Sequence, residues 1–311
     1  MITVRSEKAK KNNQIIMGIG EVAAFTAAAV WAFSTLLYKR FSHHLNPFEL
    51  NVAKGVIASA LMAAVLLITW DSQLPTSQFS WGWLVASGIV GIAIGDSAYF
   101  GALRNIGPAR TLVIESLAPA IAGLLNIALL GVFLSFTAWL GIILTTVGVI
   151  YAVKPNQALP TLDQHTFRKG VFFALIAATC QAAGMVLSKG ALNDQQVSSL
   201  WAATIRLVSG TLTVAVIVAV LKHSSLQRAI TLKGIDKKGW LFAAVFFGTF
   251  IGLWLQLISV NNTDPAIAQT IFSAAPLMVM TMSLIRKEHI TRNMITGGLL
   301  AFGGIVLLLS G

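Results

Sequence analysis

The feature that most constrains this chain is an internal repeat. Residues 82–119 align with residues 239–276 without a gap, at an offset of 157 positions, and fourteen of the 38 aligned positions are identical. The identities include a pair of glycines four residues apart and two prolines, and both copies are apolar enough to lie in a lipid bilayer. Two related apolar halves are the usual architecture of membrane transport proteins.

Composition places the chain in a membrane. Of its 311 residues, 56% are hydrophobic and 11% are charged, whereas soluble domains carry roughly 25% charged residues. The net charge of +11 comes from basic residues between apolar stretches, a positive-inside pattern that argues against a nucleic-acid partner. The lone Cys180 excludes an intrachain disulfide and a thiolate metal site. With no cleavable signal expected, we predict a multi-pass protein of the plasma (bacterial inner) membrane.

Ten stretches reach about the 20 apolar residues that a membrane-spanning helix needs. They cover approximately 15–38, 47–69, 82–103, 108–131, 135–153, 168–188, 197–221, 239–260, 265–285 and 292–310. A first five-helix repeat therefore occupies 15–153, a linker 154–167 and a second repeat 168–310. Because five is odd, the second repeat enters the membrane from the opposite side. The predicted fold is an all-α membrane protein with ten transmembrane helices in two inverted five-helix repeats.

The loop charges agree with inversion and predict an orientation. The loop 71–80 holds no Lys or Arg, whereas its counterpart in the second half, 222–238, holds five. Loops after odd-numbered helices hold 15 Lys and Arg in all, and the opposite side holds five, four of them in the N-terminal tail. The positive-inside rule then places both termini outside.

The pattern resembles the drug/metabolite transporter superfamily, in its EamA branch of ten-helix transporters. Each half has a fourth helix led by proline and containing an Ala-Pro step, and the first helix carries 29–34 followed by Lys39. Lys189 matches Lys39 in the second half. Arg206 fits the arginine that the family often has in each second helix, and Lys54 departs from it. The resemblance covers nearly the whole chain and implies transport, with both termini in the cytoplasm in many members.

Four charged residues lie well inside predicted spans: Lys54, Asp96, Glu115 and Arg206. Each costs about 2.5–3.5 kcal/mol on insertion scales, so each needs a reason. Asp96 and Glu115 should both lie roughly 12 Å from the same membrane face, at one depth across a hairpin. Two interpretations stay open. Either acid binds the solute or a proton, or both are neutralised by Lys54 and Arg206 in ion pairs that orient the helices.

Six uncharged side chains are further candidates for a solute-binding cavity, because aromatic faces and amides suit an amphipathic metabolite or an organic cation. They are Trp31, Tyr99, Gln181, Trp254, Gln256 and Gln269. Packing is the alternative role for each one alone. Pro119 and Pro276 should kink their helices, since proline removes the hydrogen bond to the carbonyl four residues earlier.

Glycine pairs predict where helices approach closely. Gly91 and Gly95 recur as Gly248 and Gly252, which puts small residues one turn apart on one helix face in both halves. In the last helix, 297–298 and 303–304 are Gly-Gly steps that predict either core packing or a dimer seam. The chain is therefore expected to be a monomer or a homodimer.

The function predicted from these residues is secondary transport, as an exporter or exchanger of a small metabolite, amino acid or drug-like solute by alternating access. Proton coupling through Asp96 or Glu115 stays open. The alternative is an intramembrane enzyme or a lipid-handling protein without transport. The five histidines lie in or near loops and there is no P-loop, so we expect no catalytic residue, metal or cofactor.

Overall fold

The fold is known from a computed structural model that describes residues 2–71, 73–152, 163–193, 197–221, 223–232, 234–285 and 292–310. Within these ranges every regular element is a helix. Most of the predicted linker, at 153–162, lies outside the described residues. The all-α prediction is confirmed for the part of the chain that is described.

The first half contains six α-helices and one short π-helical segment. In chain order they are α1 (Ile2–Phe41), α2 (Pro47–Thr69), α3 (Gln78–Gly88), π1 (Ile89–Asp96), α4 (Ser97–Glu115), α5 (Ala118–Leu130) and α6 (Phe136–Ala152). Local sequence sets the boundaries. Asn46 and Glu49 form a capping box at the start of α2. Gly107, with φ 79°, interrupts α4 before Pro108.

The second half follows the same order with two more α-helices. Its elements are α7 (Gln164–Leu192), α8 (Ser199–Leu221), α9 (His223–Thr231), α10 (Lys238–Ala244), π2 (Val245–Ile251), α11 (Gly252–Asn262), α12 (Pro265–Phe272), α13 (Ala275–Ile285) and α14 (Arg292–Ser310). Helix α9 is additional, and α11 and α12 are separate where α4 runs through the interruption at Gly107. Helix α9 lies in a stretch that the sequence predicted to be a loop. That prediction was wrong, because α9 has an apolar side that packs on α2 and α8.

Six of the described helices are long and apolar enough to cross a membrane: Gly18–Phe41, Pro47–Thr69, Gln78–Pro108, Gln164–Leu192, Ser199–Leu221 and Lys238–Asn262. Four shorter apolar helices accompany them: Ala118–Leu130, Phe136–Gly148, Pro265–Val279 and Ile295–Gly304. Large apolar side chains such as Leu67, Ile68 and Val220 are more than 70% exposed. A surface of this kind belongs against lipid rather than water.

The aligned copies share their irregularities as well as their residues. The π-helical segments π1 and π2 occupy nearly the same stretch of each copy. The helix preceding each Ala-Pro step stops at equivalent positions, Ser116 and Ser273, and resumes two residues later. Pro119 thus lies in the first turn of α5, where its missing N–H leaves no bond unmade. At each Ala-Pro step a two-residue turn, with backbone in the right-handed helical region, joins two helical segments.

The two halves pack on each other reciprocally. Helix α1, the first of its half, packs on α11, and α7, the first of the other half, packs on α4. Helix α2 packs on its counterpart α8, and α6 packs on its counterpart α14. Exchanging the halves therefore leaves the pattern of contacts unchanged, as in an approximate twofold relation.

Glycine allows the backbones of α6 and α14 to touch. A Cβ added to Gly148 would lie 2.4 Å from the amide nitrogen of Ala301, and one added to Gly304 would lie 2.5 Å from that of Thr145. A Cβ on the neighbouring Gly303 would meet nothing within 4 Å. The sequence predicted either core packing or a dimer seam for the second Gly-Gly step. Gly304 packs inside the protein, against α6.

A polar contact also joins the halves, between α5 and α12. The amide of Asn126, which is fully buried, donates to the carboxylate of Asp264. That carboxylate caps α12 by accepting the backbone N–H of Ala266 at 2.8 Å. The position equivalent to Asp264 in the first copy is Gly107, which has no side chain. This hydrogen bond therefore has no counterpart at Gly107, although the helices around it are repeated.

Candidate functional site

A cavity of about 520 Å³ lies where α1, α7, α11 and the broken helices α4–α5 and α12–α13 meet. Its walls are mostly small or apolar, and five side chains in them are polar or indole-bearing candidates from the sequence. These are Trp31, Glu115, Gln181, Gln256 and Gln269. The sequence placed them on separate helices, and the fold brings them together around one space.

The cavity is lined by residues of both halves. Several residues that line it are equivalent positions of the two copies, among them Leu112 and Gln269, Glu115 and Phe272, and Ser116 and Ser273. The helix breaks at Ser116 and Ser273 both reach the cavity wall. Irregular backbone at membrane depth is tolerated where it lines such a space.

Four polar side chains in the cavity wall have no partner in the part of the chain that the structure describes. Glu115, Gln181, Gln256 and Gln269 make no side-chain hydrogen bond or ion pair with any described residue, and the Nε2 atom of Gln269 is fully buried. A buried polar group without a partner costs roughly 1–3 kcal/mol. A bound solute that supplies donors and acceptors would recover that free energy.

Tyr99 holds the indole of Trp31 against the cavity. The two ring centroids are 5.8 Å apart with the ring planes tilted by 58°. The Thr35 hydroxyl donates its proton to the Trp31 carbonyl at 2.8 Å, so the Tyr99 hydroxyl is the donor in its 2.7 Å bond to Thr35. Tyr99 itself lines a smaller adjoining cavity of about 250 Å³, which also borders Trp31. Tyr99 therefore contacts Trp31 without lining the main cavity itself.

Asp96 and Lys54 form a buried ion pair beside the main cavity. Both side chains are at most 11% exposed, and Lys54 also lies 5.4 Å from the ring centroid of Phe100. They line a chamber of about 280 Å³ that shares Trp31 and Gln181 with the main cavity. For Asp96, the ion-pair interpretation from the sequence is the one that the fold shows.

Arg206 occupies the position equivalent to Lys54 but has no carboxylate partner among the described residues. Its guanidinium donates to the Ser188 hydroxyl at 3.4 Å and approaches the sulfur of Met185 at 3.7 Å. The Nη2 atom lies against Gly91 and Gly184, where an added Cβ would meet it at 2.7 and 3.0 Å. These two glycines thus leave room for the guanidinium. Since Arg206 does not pair with Glu115, Glu115 is the acid of the main cavity that has no ion-pair partner among the described residues.

Trp254 is a candidate from the sequence that does not line the main cavity. Its ring packs 6.2 Å from that of Phe250, and it does not line the two smaller cavities that adjoin the main one.

Three residues that line the main cavity were not among the candidates from the sequence. Ser116 and Ser273 are identical in the repeat, and this was a usable signal. Phe272 lines the cavity at the position equivalent to Glu115.

Lys39 and Lys189, which carried the resemblance between the first helices of the halves, have a structural role. The ammonium of Lys39 donates to the carbonyl of Leu103 at 2.9 Å, and that of Lys189 donates to the carbonyl of Val260 at 2.9 Å. Leu103 and Val260 are equivalent positions near helix ends, where carbonyls lack partners. Each lysine therefore closes the end of a helix in its own half.

The side chains in the described ranges offer no metal centre. No group of three or more His, Cys, Asp or Glu among them could hold a metal ion. What the cavity offers is one carboxylate, three carboxamides and aromatic faces, a combination suited to binding.

Comparison with known proteins gives related transporters. The model of the EamA-like transporter family matches residues 18–154 and again 168–310. An uncharacterized transporter of Archaeoglobus fulgidus is 25% identical over 92% of this chain and 96% of its own length. The uncharacterized transporter YxxF of Bacillus subtilis is 30% identical over 46% of this chain and 45% of its own. A solved structure described as the crystal structure of a protein superposes with a TM-score of 0.73 at 18% identity, covering 93% of this chain and 95% of that one.

Proposed function

The chain belongs to the EamA-like transporter family, and we propose that it is a secondary carrier that moves a small solute by alternating access. The family match and the long apolar helices make it a multi-pass membrane transporter, which in bacteria lies in the plasma membrane. The observation that carries the proposal is the cavity between the halves, lined by equivalent positions of both copies. Such a place is where carriers built from repeats bind their solute.

The ten spans and their inversion are part of this proposal. Six long and four shorter apolar helices give ten candidates for crossing the bilayer. The reciprocal packing of α1 on α11 and of α7 on α4 supports a twofold relation between the halves. With five spans in each half, a twofold relation has to lie in the membrane plane, and the halves then point in opposite directions.

The chemistry of the cavity favours an amphipathic solute that carries a cationic or hydrogen-bond-donating group. Glu115 offers a carboxylate with no ion-pair partner among the described residues, and Gln181, Gln256 and Gln269 offer amide groups around it. Trp31 adds an indole face, which attracts a cation as well as an apolar body. We propose that Glu115 binds an ammonium group of the solute.

Glu115 is also the residue that we propose for proton coupling. Asp96 has its charge neutralised by Lys54 through a direct ion pair, so its release from that pair would be needed before it could bind a solute. Glu115 has no such competitor among the described residues. A carboxylate that alternately binds a proton and a cationic solute would exchange one for the other across the membrane.

The test is uptake into liposomes that contain the purified protein. The probes are radiolabelled primary amines, quaternary ammonium ions and neutral amino acids. Glu115→Gln removes the charge and keeps the shape, and Glu21→Gln is the matched control, because Glu21 lies in the span Gly18–Phe41 but does not line the cavity. A charge-assisted hydrogen bond contributes about 1.5–3 kcal/mol, so we expect KM for a cationic probe to rise about ten- to a hundredfold.

Two results would count against this function. Saturable uptake of no probe by the wild-type protein, under gradients in either direction, would exclude this class of solute. If Glu115→Gln and Glu21→Gln gave the same KM and the same pH profile, the cavity would have another role.

A further inference from the structure

A second candidate site lies at the ends of the membrane-spanning helices, at the face where α1 ends and α2 begins. A cleft of about 880 Å³ there is lined by His43, His44, Glu49, Arg104, Ser225 and Arg228 among others. These residues come from the α1–α2 connection, the turn before Gly107, and α9. The cleft shares none of its lining residues with the central cavity.

Helix α9 positions one of the two arginines. Its residues Leu226 and Ala229 pack against Val52 and Val218 of the neighbouring helices. This places Arg228 over the α1–α2 connection, where its Nη2 atom donates to the His44 carbonyl at 2.7 Å. That bond holds the guanidinium in place and leaves its other N–H groups without partners among the described residues.

The second arginine is held by a lysine cap. The Lys39 ammonium donates to the carbonyls of Leu103 and Arg104, which fixes the backbone next to the cleft. The Arg104 side chain makes no hydrogen bond or ion pair with a described residue and lines the cleft together with Arg228 of α9. Two guanidinium groups therefore face one space from separate elements of the two halves.

The cleft has a surplus of positive charge. The carboxylate of Glu49 also borders it, but that side chain is 3% exposed and is used to cap the backbone N–H of Asn46 at 2.9 Å. Ser225, whose side chain is buried, also lines the cleft and brings a hydroxyl group to it. Paired guanidinium groups with a hydroxyl match the oxygens of a phosphate group.

We propose that this cleft binds a phosphodiester monoanion, whose oxygens accept hydrogen bonds from Arg104, Arg228 and Ser225. The phosphodiester of an anionic membrane lipid has this chemistry, and so does the same head group free in solution. The end of the spanning helices is at the level of lipid head groups, and Ile230 on α9 is 58% exposed there. The loops of this face also carry most of the Lys and Arg of the chain.

The experiment measures ligand affinity with the full-length protein in a neutral detergent, through the eight native tryptophans as the unfolding signal. Phosphatidylglycerol, phosphatidylcholine and soluble glycerophosphoglycerol are titrated separately. The wild-type protein should be stabilised by phosphatidylglycerol and unaffected by phosphatidylcholine. Arg104→Gln with Arg228→Gln should weaken the apparent affinity at least tenfold. The control is Lys237→Gln with Lys238→Gln, which removes two exposed charges near this face that do not line the cleft.

The soluble head group identifies the source of the ligand. If it competes with the lipid at similar concentration, the site takes free phosphodiesters; if only the lipid binds, the site takes membrane lipid. Equal stabilisation by both lipids, or equal loss in the control, would overturn the proposal. If the double arginine variant fails to fold, the affinity for phosphatidylglycerol is measured with Ser225→Ala and with Arg104→Gln instead. Unchanged affinity in both variants would also overturn the proposal. Uptake by the Glu115→Gln protein tests the central cavity separately.

Discussion

The contact between α6 and α14 can be tested with two adjacent glycines. Gly304→Ala would place a methyl carbon 2.4 Å from the Thr145 hydroxyl oxygen and 2.5 Å from its amide nitrogen. The hydroxyl can rotate about χ1, but the amide nitrogen is fixed in its helix, so the two backbones would have to separate. Gly303→Ala would meet nothing within 4 Å. The two substitutions are the same chemical change on the same helix.

The expected difference follows from this geometry. Alanine favours a helix over glycine by roughly 0.5–1 kcal/mol, and both variants receive that gain. Overpacking costs typically about 1–3 kcal/mol, and only Gly304→Ala incurs it. We therefore expect Gly303→Ala to match or exceed the wild-type protein in stability. Gly304→Ala should be less stable than Gly303→Ala by about 1–3 kcal/mol.

The assay is reversible unfolding in mixed micelles, followed by tryptophan fluorescence and by loss of helix. Both variants are compared with the wild-type protein at the same protein concentration, so that an effect on self-association would appear as a concentration dependence. If Gly304→Ala proved as stable as Gly303→Ala, the reasoning from the close approach of α6 and α14 would be refuted.

Three further outcomes are expected. Lys54→Met should destabilise the fold by about 3–5 kcal/mol, since it leaves the Asp96 carboxylate buried and unpaired, whereas adding Asp96→Leu should restore most of the loss in the same unfolding assay. Asn126→Ala should speed hydrogen–deuterium exchange in 118–130 and 265–272, and Asn105→Ala, whose amide bonds within its own helix, should leave both segments unchanged. Burial and the charges of its neighbours lower the pKa of His43 below its ordinary 6.5, so it is neutral at pH 7. Phosphatidylglycerol, which stays anionic, should bind more tightly as the pH falls through the lowered pKa of His43, because the imidazole then becomes positively charged. His43→Gln should flatten the dependence of phosphatidylglycerol affinity on pH. The other charged or titratable groups of the cleft are His44, Glu49, Arg104 and Arg228, and Lys39 is adjacent.

The sequence was sufficient for much of the fold because the repeat is gapless. A pattern that recurs at a constant offset requires the same helices in both halves, and the breaks at Ser116 and Ser273 follow from the two Ala-Pro steps. Hydropathy also located the helix starts at Pro47 and Pro265 to the residue. It failed for α9, since a nine-residue amphipathic helix is too short and too polar to be recognised by hydropathy.

The sequence predicted which residues line the site better than it predicted which of them form ion pairs. Mid-span polarity is visible in a sequence, which is why Glu115 and Gln181 were identified before the fold was known. Whether Asp96 or Glu115 would have Lys54 as its partner depends on how α2 and π1 face each other, and periodicity does not determine that rotation. The sequence also did not show that Trp254 lies beside Phe250 and outside the lining of the main cavity, since either face of α11 was compatible with its position.

The single hydrogen bond between Asn126 and Asp264 has a consequence for the proposed transport cycle. Two conformations related by exchanging the halves would be equal in free energy if the halves were identical. Gly107, at the position of Asp264, cannot form the matching bond in the exchanged state. One conformation is thus favoured when no solute is bound, and a carrier with a biased resting state presents its binding site mainly to one side of the membrane.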